Sequence, residues 1–243
     1  MSRITIGEQE FSSIISENLV YADKTEFIYN IIDAGKWFFL SRPRRFGKSL
    51  LLSTFKELFR GRKELFEKLW IGQKNRYNFE ETFPVVSLSM VPTAYSSNDL
   101  KRDLKLKLIE TAKRHNLTIG ETTPGYMLFT LIKNLKRKYN KNVVLLIDEY
   151  DAPVSYRVNK VDIAEANQDI LNEFFAYMKS LTEDLRFLFV TGITNYSFIW
   201  RSDALNHLND LTLNRRYSNI CGFTYKEMDA CFKVFFPSTL KLL

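Results

Sequence analysis

Gly47-Lys48-Ser49 follows an apolar stretch, Trp37-Phe38-Phe39-Leu40, and an arginine-rich turn, Arg42-Pro43-Arg44-Arg45-Phe46. A glycine, a lysine and a hydroxyl at the opening of a helix make a phosphate cradle. Backbone N–H groups of the turn and of the helix N-terminus face the anion, and glycine lets the backbone come close. Lys48 is expected to reach the β- and γ-phosphates of a nucleoside triphosphate, and Ser49 to ligate Mg²⁺. The expected nucleotide-binding stretch is Arg42, Pro43, Arg44, Arg45, Phe46, Gly47, Lys48, Ser49 and Leu50. The common form of such a loop, G-x-x-x-x-G-K-[ST], has glycine where this chain has Arg42.

A second cluster supplies the acids. Val143-Val144-Leu145-Leu146-Ile147 is a continuous apolar run that ends in Asp148-Glu149. Such a run suits a parallel strand buried on both faces, with the carboxylates at its C-terminal edge, where open α/β sheets bind ligands. Asp148 is placed to hold Mg²⁺, and Glu149 to polarise the water that attacks the γ-phosphate. A carboxylate in the second slot favours hydrolysis over binding alone. A third apolar run, Phe187 to Val190, ends in Thr191-Gly192-Ile193-Thr194-Asn195. Thr194 or Asn195 is the expected γ-phosphate sensor, so the catalytic set is Glu149, Lys48, Asn195 and Thr194.

Periodicity supplies the elements that must carry these residues. Helices are expected near 8–17, 24–34, 48–59, 63–69, 98–114, 124–139, 162–183 and 224–235. Strands are expected at 36–41, 83–90, 142–147, 185–191 and, shortest, 217–220. Alternating strands and helices predict a parallel sheet covered on both faces, in one domain.

Composition agrees with a folded core: 45% hydrophobic, 26% charged and 14% aromatic, with 20 Phe and 12 Tyr. No apolar run reaches the roughly 18 residues of a membrane span, and no apolar signal segment opens the chain. Two cysteines, Cys221 and Cys231, match no zinc spacing. A cytoplasmic location is the resulting expectation. The net charge of +7 suits a triphosphate as well as nucleic acid. The basic runs around Lys105 and Lys136 flank apolar stripes and read first as solvated helix faces.

Tyr21-Ala22-Asp23-Lys24-Thr25, Leu40 to Ser49, Leu146 to Pro153, Thr191 to Thr194, Leu208 to Thr212 and Cys221-Gly222-Phe223-Thr224 occur in that order. Together they resemble the AAA-ATPase-like domain that is often joined to a C-terminal PD-(D/E)XK nuclease-like domain. That family's loop reads Arg-Pro-Arg-Arg-Phe-Gly-Lys-Ser, so Arg42 is its own form. The resemblance implies a P-loop NTPase three-layer sandwich of the additional-strand (AAA-like) type, with the phosphate-loop strand beside the sensor strand. It implies a core over 1–223 with helices of 1–35 packed on it, and the start of a lid over 224–243, the nuclease-like region being absent. It also sets Asp23 near the adenine, although Asp23-Lys24-Thr25 reads equally as an N-capped helix start. The segment 195–206 departs from the family's usual phrase.

Arg215-Arg216, Arg201 and Arg44-Arg45 are the candidate arginine fingers. Arg44 and Arg45 are also placed to face nucleic acid or a second copy of the chain, so nucleic acid, a nuclease-like partner and a homo-oligomer stand as candidate partners beside ATP. His115 and His207 are not expected to be ligands. The leading expectation is ATP hydrolysis driving a conformational switch. The alternative is a nucleotide-dependent interaction module with little turnover. A small-molecule kinase would need acceptor carboxylates and a dedicated lid, and neither is visible.

Overall fold

The structure, a computed structural model, describes residues 3–4, 7–91, 97–194 and 208–232. Five strands lie side by side: β1 (Trp37–Ser41), β2 (Val85–Ser89), β3 (Val143–Asp148), β4 (Leu185–Gly192) and β5 (Asn209–Asp210). Their order is β2-β3-β4-β1-β5, with all four pairings parallel. Strand β4 therefore lies between the strand that ends in the arginine-rich turn and the strand that ends in Asp148. That is the neighbour relation implied by the family resemblance.

The sheet's two faces sort the residues by parity, as pleating requires. Trp37, Phe39, Leu145, Ile147, Leu188 and Val190 join one core; Phe38, Leu40, Val144, Leu146, Phe187 and Phe189 join the other. The second face is covered by α1 (Phe11–Ser16), α2 (Thr25–Ala34) and α3 (Lys48–Phe59) through Phe11, Ile28, Ile31, Leu51, Phe55 and Phe59. Here aromatic rings do much of the filling: Phe55 stands 5.1 Å from Phe187 and 5.0 Å from Phe189. A short α4 (Trp70–Gln73) follows. The first face is covered by α5 (Ser97–Arg114), α6 (Pro124–Tyr139) and α8 (Val161–Ala176) through Leu104, Leu108, Leu131, Leu135, Leu171 and Phe174. Between β3 and α8 runs α7 (Ala152–Ser155), and α9 (Tyr225–Phe232) closes the described chain. An α/β fold with helices on both faces of a parallel sheet is thus what the apolar runs specify.

The expected elements shift in four places. The first helix spans 11–16, not 8–17, because the Glu8 carboxylate accepts the amides of Gln9 and Glu10 in a turn ahead of it. The expected helix at 63–69 is only a 3₁₀ turn at Lys63–Leu65, and α4 begins after it at Trp70. The long helix ends at Ala176 and tightens into 3₁₀ geometry over Tyr177–Leu181. No strand forms at 217–220. There the Asn214 side chain accepts the Arg216 amide and turns the chain into a 3₁₀ helix, Arg215–Tyr217, so the fifth strand falls at Asn209–Asp210.

Candidate functional site

The C-terminal ends of β1, β3 and β4 lie together, and each delivers one of the three clusters. After Ser41 the chain turns through Arg42–Gly47 and enters α3 at Lys48. Two residues of the turn take left-handed backbone geometry, Arg45 (φ 64°) and Gly47 (φ 89°). For Arg45 that conformation costs about 1–2 kcal/mol, the kind of strain that functional turns retain. At Gly47 an added Cβ would meet no protein atom within 4 Å. Within the chain, glycine is needed there for the sign of φ, and any collision would have to be with a ligand.

Arg42 stands where the common loop has its first glycine. Its guanidinium donates to the carbonyls of Ser41 (2.8 Å), Thr212 (2.9 Å) and Tyr217 (3.1 Å). The Gly222 amide donates to the Phe46 carbonyl at 3.0 Å. The segment after β5 therefore braces the loop from outside, and Arg42 contributes as a strut. Lys48, 5% exposed, donates to the carbonyls of Arg42 (2.9 Å) and Pro43 (3.0 Å), so its ammonium lies across the loop.

The strongest convergence is on Asp148. One oxygen accepts the Ser49 hydroxyl at 2.5 Å; the other accepts the Thr191 hydroxyl and the Glu149 amide (3.0 Å). One carboxylate thus joins the start of α3, the end of β3 and the end of β4. Glu149 follows with φ 49°, and its Oε2 accepts the Tyr156 hydroxyl at 3.1 Å. Burial first, and the adjacent Glu149 carboxylate next, push the Tyr156 hydroxyl above its ordinary pKa, which keeps it a donor. The Arg44 guanidinium lies 4.5 Å from the centre of the Tyr156 ring.

Thr194, one of the two expected sensors, is bonded to Asp151. Its hydroxyl and amide donate to Asp151 Oδ2 (both 2.7 Å), as does the Ile193 amide (2.9 Å). The hydroxyl that meets Asp148 belongs to Thr191, one step beyond the Ile147–Val190 pairing. Asn195 lies outside the described residues, as do Arg201 and His207. Thr191 and Asp151 are the residues that sequence reasoning passed over. The register of β4 against β3, had it been known, identifies the first. Gly192 fits between them because an added Cβ would come within 2.4 Å of the Tyr150 ring and 3.0 Å of Asp151 Oδ1.

Beside the loop opens a cavity of about 420 Å³, lined by Tyr21, Ala22, Lys24, Phe46, Leu50 and Cys221, among others. Asp23 does not line it. Its carboxylate accepts the Thr25 amide and hydroxyl and the Trp70 amide, so the helix-start reading describes its geometry. Lys24 bonds the Asn219 carbonyl (2.8 Å) and Glu227 of α9 (2.6 Å), which closes one wall. Glu227 and Thr224 form a reciprocal capping box. Burial alone would raise the Glu227 carboxyl, but the Lys24 and Thr224 bonds outweigh it and hold the pKa below its ordinary value. A depressed carboxylate stabilises the fold above its unfolded pKa, and that share is lost as pH falls through the folded value. Acidification below about pH 4, the ordinary Glu range, is expected to release α9. Amide exchange over Tyr225–Phe232 would show it, and Glu227→Gln should produce the same loosening at neutral pH. Burial pushes the Cys221 thiol up to about 11, which leaves it a poor nucleophile at neutral pH.

Many of the basic residues on α5 and α6 are locally engaged. Lys105 meets Glu121 (3.3 Å), Lys133 and Lys136 meet Asp184 (2.7 and 3.0 Å), and Lys107 bonds the carbonyls of Ser89 and Val91. The His115 ring is 2.9 Å from the Tyr139 hydroxyl. Among the described residues no group of three or more His, Cys, Asp or Glu is placed to hold a metal, and no helix is long and apolar enough to cross a membrane.

The family described as Predicted AAA-ATPase (AAA-ATPase-like) matches this chain over residues 5–198. The chain belongs to that family. A curated relative from Azotobacter chroococcum mcd 1, named only as an uncharacterized protein in the vnfD 5′ region, is 32% identical over 240 residues. The match takes in 95% of this chain and 45% of the relative, so the chain spans less than half the length of that protein. No solved structure matches the chain. For the AAA-ATPase-like chain, membership supports a role connected with ATP.

Proposed function

We propose that the chain binds ATP with Mg²⁺ at the C-terminal edge of its sheet and hydrolyses the γ-phosphate. The Ser49–Asp148 hydrogen bond carries this reading. It brings the hydroxyl of the phosphate-loop helix and the carboxylate of β3 to one point, and Lys48 and Glu149 are their neighbours in the chain. The insertion of β4 between β1 and β3 supports an additional-strand P-loop core.

The donor set fits Mg²⁺. That ion takes hard oxygens, keeps several waters and needs only one or two protein groups besides phosphate. Ser49 and Asp148 would hold it, and the ion would supply charge neutralisation on the phosphates. The chain's own residues account for the remaining roles. Backbone amides from Arg44 to Ser49 cradle the phosphates. Lys48 exchanges the loop carbonyls for phosphate oxygens, and Glu149 orients the attacking water. The cavity beside the loop, walled by Tyr21, Phe46 and Leu50, is assigned to the base and sugar.

Glu149→Gln tests the assignment. Its phosphate release is expected to fall by about 10²–10⁴-fold, the range for a lost general base, while ATP binding persists. Equal rates in the variant and the parent would remove the hydrolytic role. ATP binding without measurable turnover in the parent would leave a nucleotide-dependent interaction module.

A further inference from the structure

Tyr156 lies beyond the strand and the loop that hold the proposed site, at the end of α7, yet it touches both. Its hydroxyl donates to Glu149 Oε2 at 3.1 Å, and its ring carries the Arg44 guanidinium at 4.5 Å. Glu149 has a left-handed backbone and its amide is already spent on Asp148. The Tyr156 bond is therefore a side-chain restraint on where the carboxylate points, and it engages one oxygen and leaves the other for a water. Arg44 sits in the turn whose backbone is assigned to the phosphates, so a shift of that turn acts directly on the ring. The anchor for this pair is firm. The Tyr156 amide bonds the Ala152 carbonyl (3.1 Å), and Ala152 and the neighbouring Asp151 are fully buried.

We infer that Tyr156 is a positioning residue for Glu149, and that the Arg44–Tyr156 stack couples the phosphate loop to the orientation of that carboxylate. The inference rests on the hydrolytic reading above. It makes water activation responsive to loop position: a triphosphate that draws Arg44 into place also steadies the ring that aims Glu149. A cation over an aromatic face at an exposed site is a weak contact. The hydroxyl touches the Glu149 carboxylate directly, whereas Arg44 reaches it only through the ring. The hydroxyl should therefore carry the larger part of the effect.

Tyr156→Phe keeps the ring for Arg44 and deletes the bond to Glu149. Its kcat is expected to fall about tenfold with KM and the ATP dissociation constant unchanged within twofold, because the hydroxyl touches the water-orienting group and not the nucleotide. Arg44→Ala should lower kcat by a smaller factor in the parent and produce no further loss of kcat in the Tyr156→Phe protein. Such non-additivity marks residues acting through one another. Arg44→Lys, which keeps the cation, should recover part of the loss. Parental kcat in Tyr156→Phe, beside a collapsed rate in Glu149→Gln, overturns the positioning role and leaves the hydrolytic site standing. Parental rates in Glu149→Gln overturn both. Independent, multiplying effects of Arg44→Ala and Tyr156→Phe overturn the coupling. A Tyr156→Phe protein that loses ATP binding together with kcat shows a purely structural tyrosine and overturns the inference as well.

Discussion

Lys48→Ala is expected to weaken ATP binding about 30- to 150-fold and to destabilise the free protein slightly. The two effects have separate causes. In the free chain the Lys48 ammonium satisfies the carbonyls of Arg42 and Pro43. Each charge-assisted bond is worth about 1.5–3 kcal/mol. On binding, Lys48 gives up those carbonyls for phosphate oxygens of full charge, so only the difference appears as affinity. A net of about 2–3 kcal/mol corresponds to that fold-change at 1.4 kcal/mol per factor of ten. The alanine variant also removes a buried cation, whose desolvation offsets most of the value of its bonds, and leaves the two carbonyls to water, so the net cost should be about 1 kcal/mol and lower the melting midpoint by a few degrees. Calorimetric titration with ATP and a melting curve without it would separate the terms. Unchanged affinity would mean that the ammonium stays on its carbonyls when phosphate is present, and Lys48 would then be a brace of the loop.

The chemistry of this site is carried by local phrases, and local phrases are what a sequence displays. Val143 to Ile147 reads as a buried strand because five adjacent apolar residues leave no polar face, and Asp148 then falls at its end. Lys48 and Ser49 read as a helix start because glycine punctuates the turn before them. Contacts between distant segments are a different matter. Arg42 looked like an anomaly in a glycine position because its partners, Thr212 and Tyr217, lie far along the chain. Thr194 stands out in the sequence because it follows the apolar run, whereas the bond of Thr191 to Asp148 depends on the register of β4 against β3. A two-residue strand such as Asn209–Asp210 has too few residues to show any alternation. Its existence depends on β1 offering a free edge. Tyr156 carries no motif at all, and its contact with Glu149 arises only from how α7 turns after β3. The fold class was written in runs and periods, whereas the cross-links that tune the site were not.

Asp151 is the place where such a cross-link should be most costly to remove. The residue is fully buried, and its Oδ2 gathers the amides of Ile193 and Thr194 and the Thr194 hydroxyl. Asp151→Ala would strand three donors in a turn closed on the Tyr150 side, where the Tyr150 amide and the Thr191 carbonyl already hold each other at 3.0 Å. Unsatisfied groups cost about 1–3 kcal/mol each when buried, and water reaching the half-buried Ile193 and Thr194, with relaxation of the turn, recovers some of it. A net loss of about 3–5 kcal/mol follows, among the largest a single substitution produces. For a chain of this size that is a fall of roughly 6–20 °C in melting midpoint. The damage should also reach the phosphate loop. The Arg42 amide donates to the Gly192 carbonyl (3.2 Å) and the Ser41 hydroxyl to the Ile193 carbonyl (2.7 Å), so the turn that Asp151 fixes is itself a support of the loop. Weaker ATP binding should therefore accompany the lower midpoint, although Asp151 touches none of the residues assigned to the nucleotide. Asp151→Asn, which can still accept one or two of the bonds, is expected to fall between. A melting midpoint within a degree or two of the parent for Asp151→Ala would show that water or backbone movement replaces the carboxylate, and that β4 alone positions Thr191.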